Sequence, residues 1–166
     1  MLFVRALASF LALPGVVAGL LPWMIVSNDP GRGDGWFWPG LLVLAVGLSV
    51  LLWCVRDFYV TGKGTLAPWD PPKTLVRVGL YGLVRNPMYV GVIVLVSGWS
   101  LLTGSRQLAI YVLALVVLFH ARVLLFEEPW LARTFPDAWQ AYRAAVPRWI
   151  PRFSTGRPAV PPGGRR

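Results

Sequence analysis

The sequence predicts an all-α integral membrane protein with four transmembrane helices and a C-terminal cytoplasmic interfacial helix. Three observations lead there. Only 14% of the 166 residues are charged and 56% are hydrophobic, with a mean hydropathy of +0.60; a soluble domain carries about 25% charged residues. Long uncharged runs recur along the chain, and Lys and Arg are distributed unequally around them. A soluble globule of this size would expose too much apolar surface. The composition also excludes a disordered chain, and the single cysteine, Cys54, excludes a disulfide scaffold. With one histidine, His120, there is no multi-histidine metal site, and no metal centre is expected. A net charge of +9 would suggest nucleic acid in a soluble protein. Here the basic residues flank apolar runs, so membrane topology explains them and no nucleic-acid partner is expected.

A helix needs roughly 20 apolar residues to cross a bilayer core. Residues 6–26, 36–55 and 87–104 carry no charge, and residues 107–126 carry only Arg122. These are the four expected spans. Pro14, Pro22 and Pro39 are tolerable within them, because membrane helices re-satisfy freed backbone groups. The first run is expected to be a span rather than a signal sequence, since its apolar stretch continues through Trp23 to Val26. Thirteen of the 16 Lys and Arg fall at the N-terminus, in the 56–86 loop or after span four, whereas only Arg32 and Arg106 fall on the other side. Both termini and the long loop therefore face the cytoplasm by the positive-inside rule. Trp23, Trp36, Trp38 and Trp53 sit at span ends, as in an aromatic belt.

The loop begins TGKGTLAPWDPPK, which is turn-rich, and continues TLVRVGLYGLVR, a short interfacial helix or an extended segment. After span four, Leu131, Phe135, Trp139, Tyr142 and Val146 recur at helical spacing. They predict an amphipathic helix over about 129–146, interrupted at Pro136 and lying on the membrane surface. Residues 1–152 form one membrane domain, and the Pro/Gly-rich 153–166 form a disordered tail.

Soluble nucleotide motifs are absent: GRGDG at 31–35 and GKGT at 62–65 are expected to be turns. Two segments break the apolar pattern. In the first, Asn86 suits an N-cap and Pro87 the first helical position, with Arg85 beside them. The free N–H groups and dipole of such a helix start favour an anion, and Gly91 leaves room one turn in for close approach. In the second, His120, Arg122, Glu127, Glu128 and Pro129 close span four. An ionisable group within a span is a functional hypothesis, and two carboxylates at a helix C-terminus oppose its dipole and need partners. In a regular helix Arg122 and Glu127 lie about 140° apart, not a simple intrahelical pair, while His120 and Glu127 lie about 20° apart. The turn Thr103-Gly104-Ser105-Arg106 is so short that spans three and four are antiparallel neighbours. Both polar segments therefore meet at the cytoplasmic surface.

Tyr81, then Arg85-Asn86-Pro87-Met88-Tyr89-Val90-Gly91, an apolar hairpin, and then Arg122, Glu127-Glu128, Phe135, Tyr142 and Val146-Pro147 closely resemble the isoprenylcysteine carboxyl methyltransferase family. Phospholipid N-methyltransferases and, more distantly, membrane sterol reductases share this signature. The resemblance covers about residues 75–152. It implies an integral membrane enzyme that binds S-adenosylmethionine without a Rossmann domain. It also implies a cofactor-binding set of Tyr81, Arg85, Asn86, Pro87, Tyr89, Gly91, His120, Glu127 and Glu128, and a catalytic Arg122 near the methyl-accepting group. Asn86 stands where eukaryotic members usually carry His, and it can cap and donate but not titrate.

The expected function is S-adenosylmethionine-dependent methyl transfer to a lipophilic acceptor at the membrane–cytoplasm interface, with the bilayer and that acceptor as partners. A carboxylate of the isoprenylcysteine type would be held by Arg122 through charge-assisted hydrogen bonds. A phospholipid amine, which needs a base, and a small thiol are alternative acceptors. A non-catalytic scaffold or transporter is the alternative of another class, for which polar residues near the midplane would be the mark. A chain this compact suits a bacterial inner membrane.

Overall fold

The computed structural model describes residues 11–29, 33–62 and 74–151, and among them all regular structure is helical. The tail 153–166, Arg5, Arg32, the start of the first run and residues 63–73 of the turn-rich stretch lie outside the described residues. A π-helical stretch, Leu11–Leu20, leads into α1 (Leu21–Ser27), with Pro22 at its first turn. Then come α2 (Phe37–Asp57), α3 (Pro87–Thr103), α4 (Arg106–Arg122), α5 (Glu128–Thr134) and α6 (Pro136–Ala145). A π-helical turn, Val123–Glu127, joins α4 to α5 without a break.

The α2 helix and the continuous run Arg106–Thr134 are long and apolar enough to cross a membrane. Pro14–Ser27 and Pro87–Thr103 are apolar but shorter. At 1.5 Å per residue, the 17 residues of α3 reach about 25 Å, a little less than a bilayer core. The outward faces are apolar: Ile110, Leu113, Val117 and Leu118 of α4 are exposed, as are Trp23, Trp36, Trp38 and Trp53. A surface of that kind suits lipid rather than water.

Helix α3 occupies the centre. Val92, Leu95 and Val96 form the main core with Leu51 of α2, Leu108, Leu115 and Phe119 of α4, and Ala18 of the first stretch. Backbones of α2 and α3 touch, because glycines face the partner helix. A Cβ on Gly47 would lie 2.3 Å from Leu95 N, one on Gly98 2.4 Å from Leu44 N, and one on Gly40 2.5 Å from Leu102 N. Small residues allow this approach, and in a membrane close packing replaces the hydrophobic drive as the cohesive force. Gly104 ends α3 with φ +62°, which a residue with a side chain rarely adopts, and the Ser105 hydroxyl caps α4 by accepting from Leu108 N at 3.2 Å. This tight turn makes α3 and α4 antiparallel, so the start of α3 lies beside the end of α4.

Two expectations about the C-terminal part change. Span four and the amphipathic helix were expected as separate elements, but the helix runs from Arg106 through Thr134 and breaks only at Phe135. Pro136 opens α6, as its missing N–H permits. The apolar face of α6 was expected to lie on the membrane surface. Instead Trp139, Tyr142 and Val146 are buried together against Leu75 and Leu131. Of the two forms expected for the 74–85 segment, residues 74–78 are irregular and Gly79–Gly82 make a single 3-10 turn.

Candidate active site

Three hydrogen bonds dock the segment before α3 onto the C-terminal segment. Tyr142 OH donates to Tyr81 O at 2.7 Å, Arg85 N to Pro147 O at 2.8 Å, and Asn86 Nδ2 to Arg148 O at 3.2 Å. Burial pushes the phenols of Tyr81 and Tyr142 above the ordinary tyrosine range, so Tyr142 keeps the proton it donates. Asn86 does occupy the N-cap position of α3, but its side chain makes no capping bond. It is used to hold the Arg148 carbonyl instead.

This docking assembles a first ionic cluster. Arg85 Nη1 donates to Glu128 Oε1 at 2.9 Å. Arg148 takes the same carboxylate in a fork, Nε to Oε1 at 2.7 Å and Nη2 to Oε2 at 3.0 Å. Such bidentate charge-assisted pairs are strong and fix orientation. The Arg85 guanidinium also lies over the Trp139 ring, 5.3 Å from its centroid. Its side chain is only 9% exposed, and its Nε is buried without a hydrogen-bond partner among the described residues. Burial lowers its affinity for the proton, and the neighbouring Glu128 works in the opposite sense.

A second cluster lies on the adjoining residue. Arg122 Nε donates to Glu127 Oε1 at 2.9 Å and to Tyr89 OH at 3.0 Å, and Tyr89 OH donates to Glu127 Oε1. The Tyr89 ring is fixed by stacking on Phe119, centroids 4.4 Å apart. Only Nε of Arg122 is engaged, leaving its two terminal amino groups without partners among the described residues. Glu127 Oε2 is likewise unengaged among them. The Arg122 side chain is 46% exposed. The expectation that Arg122 and Glu127 do not pair is overturned by the π-helical turn between them. Glu128 N–H reaches back to Val123 O, and the wider turn brings the fifth residue over the first.

The same turn moves Glu127 off the helix face that regular winding would have it share with His120. His120 Nδ1 accepts from Trp149 Nε1 at 3.1 Å, outside both clusters. The structure thus brings together Arg85, Tyr89, Arg122, Glu127 and Glu128, with Asn86 and Pro87 at the helix start beneath them. It does not bring Gly91 or the Tyr81 side chain. A Cβ on Gly91 would meet Val50 and Leu51 of α2 at 3.0–3.1 Å, so Gly91 serves helix packing. Tyr81 is buried with Cys54 and Val76, and only its carbonyl is used to anchor the segment. Sequence spacing does not single out Arg148, although it directly follows the Val146-Pro147 pair of the resembling segment.

Comparison with known proteins gives the same direction. The family model for phospholipid methyltransferases matches residues 36–138. The chain is 31% identical to the cobalt-zinc-cadmium resistance protein CzcN of Cupriavidus metallidurans, over 92% of this chain and 71% of that protein. It is 32% identical to the protein-S-isoprenylcysteine O-methyltransferase of Schizosaccharomyces pombe over 46% of this chain, but spans only 33% of that enzyme. It is 34% identical to the Delta(14)-sterol reductase TM7SF2 of Mus musculus over 57% of this chain and 23% of that protein. No solved structure matches. The chain belongs to the phospholipid methyltransferase family.

Proposed function

We propose that the protein transfers a methyl group from S-adenosylmethionine to a lipophilic acceptor at the membrane–cytoplasm interface, in the manner of an isoprenylcysteine carboxyl methyltransferase. The observation that carries this reading is the meeting of two arginine–carboxylate clusters at one end of an apolar antiparallel hairpin. In this reading all four apolar stretches span the inner membrane of a bacterium, with both clusters and both termini facing the cytoplasm. The excess of Lys and Arg on that side supports the orientation.

The residues present suit such a methyl donor. Its amino-acid end is zwitterionic. The buried, unpartnered Nε of Arg85 calls for an anionic acceptor, and the start of α3 adds its dipole in the same sense. The open Oε2 of Glu127 suits an ammonium or a hydroxyl. When bound, S-adenosylmethionine supplies a methyl group activated on a sulfonium. The chain then has little covalent work to do; it must position and dehydrate the nucleophile. The two free amino groups of Arg122 hold an acceptor carboxylate in a planar fork, while Tyr89 and Glu127 hold the Arg122 Nε. An acceptor carboxylate held there would present one oxygen to the donor's methyl carbon, and transfer to it would leave the donor as a neutral thioether with no proton for the chain to move.

A second reading has specific support in the same cluster. Glu127 Oε2, without a partner among the described residues, suits taking a proton from an amine, as a phospholipid headgroup acceptor requires. Incubation of membranes containing the protein with isotopically methyl-labelled donor, followed by mass spectrometry of the lipid extract, tests both. Base-labile label supports the carboxylate reading and base-stable label on an amine the second. No incorporation, together with no binding of the donor or its demethylated product to folded protein, would sink the methyltransferase reading.

A further inference from the structure

We infer that Arg85 and Arg148 form a clamp for the carboxylate of the methyl donor's amino-acid end, and that Glu128 is the hub that positions both arginines rather than a ligand of the donor's ammonium. This rests on the methyltransferase reading above. An ionised carboxylate offers roughly four acceptor sites. Glu128 already receives three guanidinium bonds, two on Oε1 and one on Oε2, at 2.7–3.0 Å. A ligand ammonium would have to displace an arginine already held by a charge-assisted fork.

Charge points the same way. Two guanidiniums around one carboxylate leave a net positive charge in a part of the molecule where Arg85 and Glu128 are only 9% and 13% exposed. The Arg85 Nε is buried and has no acceptor among the described residues. A buried cationic donor left unmet is costly, and a planar carboxylate is the group that a guanidinium edge fits best. Both arginines are also held from behind. The Trp139 ring backs the Arg85 plane, while Asn86 Nδ2 and Arg85 N grip the backbone at Arg148 O and Pro147 O. Glu127, the adjoining residue, keeps Oε2 open. The pair of subsites therefore matches an α-amino acid, with its carboxylate on the arginines and its ammonium on Glu127. Arg148 and Arg85 would touch the ligand, and Glu128 is a positioning residue.

The test is calorimetric binding to the full chain in detergent, using S-adenosylhomocysteine and its decarboxylated counterpart, which keeps the amine. The wild-type protein should prefer the carboxylate-bearing ligand by about ten- to a hundredfold. In Arg148→Ala and Arg148→Lys that preference should fall below about threefold, with affinity for the decarboxylated ligand unchanged, because Lys lacks the fork. Glu128→Gln should lower the preference in the same selective way. Glu127→Gln should instead weaken both ligands equally. A merely structural role for Arg148 would reduce the folded fraction without changing the ratio of the two affinities. The inference is overturned if wild-type protein shows no preference, if a folded Arg148 variant keeps it, or if Glu128→Gln weakens both ligands alike. The last comparison stands even if the Arg148 variants do not fold. If folded wild-type protein binds neither ligand, the methyltransferase reading fails and takes the clamp with it.

Discussion

Arg122 and Glu127 stand five residues apart in one uninterrupted helical run and share a hydrogen bond of 2.9 Å. A regular α-helix would point them about 140° apart. The π-helical turn Val123–Glu127 removes that angle, and the adjoining Glu128 is delivered to a different set of arginines. One local change in helical winding thus divides two neighbouring carboxylates between two clusters. Such turns are rare inside α-helices and frequent at functional sites.

Arg122 is expected to act on the acceptor. Arg122→Ala should lower turnover by at least about tenfold while donor affinity stays within about threefold, since a charge-assisted hydrogen bond to the reacting group is lost. Arg122→Lys should rescue little, because a point charge does not reproduce the fork. Steady-state kinetics with labelled donor checks both. Full turnover in Arg122→Ala would remove Arg122 from the site and, with it, the main argument for a carboxylate acceptor.

Orientation is open to direct measurement. In a Cys54→Ala background, a cysteine at Arg106 should react with an impermeant thiol reagent in intact cells. One at Arg143 should react only after permeabilisation if the basic side of the chain obeys the positive-inside rule. Labelling of the Arg143 position from outside would place both clusters on the wrong face for a cytoplasmic donor.

The contact between α2 and α3 leaves no room for a side chain at Gly47. Gly47→Leu must separate the helices, and overpacking of this kind costs about 1–3 kcal/mol or more. Gly19→Ala, where no atom lies within 4 Å of the added carbon, should leave thermal unfolding nearly unchanged. Comparable unfolding temperatures for the two variants would mean that the backbones do not touch as described.

Tyr142→Phe removes the bond that ties the C-terminal segment to Tyr81 O and leaves a buried carbonyl unmet, at a cost of about 1–3 kcal/mol. Both Tyr81 and Tyr142 have phenols raised by burial in the fold. Their contribution to stability is complete below the unfolded tyrosine value of about 10 and is lost as pH rises beyond it. Alkaline titration followed by phenolate absorbance and helix signal should show their ionisation coinciding with unfolding. Ionisation of all tyrosines near pH 10 with the helices intact would contradict that burial.

Apolar runs, charge asymmetry and a proline at a helix start are properties of contiguous residues, and for that reason the sequence alone determined the all-helical class, the hairpin Thr103–Arg106 and the membership of Arg85, Tyr89, Arg122, Glu127 and Glu128 in one polar region. Pairing within that region depends on winding and docking, which one-dimensional spacing does not encode. A regular 100° step puts His120 and Glu127 on one face and keeps Arg122 away; the π turn brings Arg122 to Glu127 instead. Gly91 carried a motif's signal, yet it is filled by the neighbouring helix, and Gly40, Gly47 and Gly98 gave no signal until the partner backbone was in place. Arg148 lies 20 residues from the carboxylate it grips. Only the fold of α6 back onto the segment before α3 brings it there, driven by burial of Trp139, Tyr142 and Val146, a face whose periodicity was legible but whose partner was not.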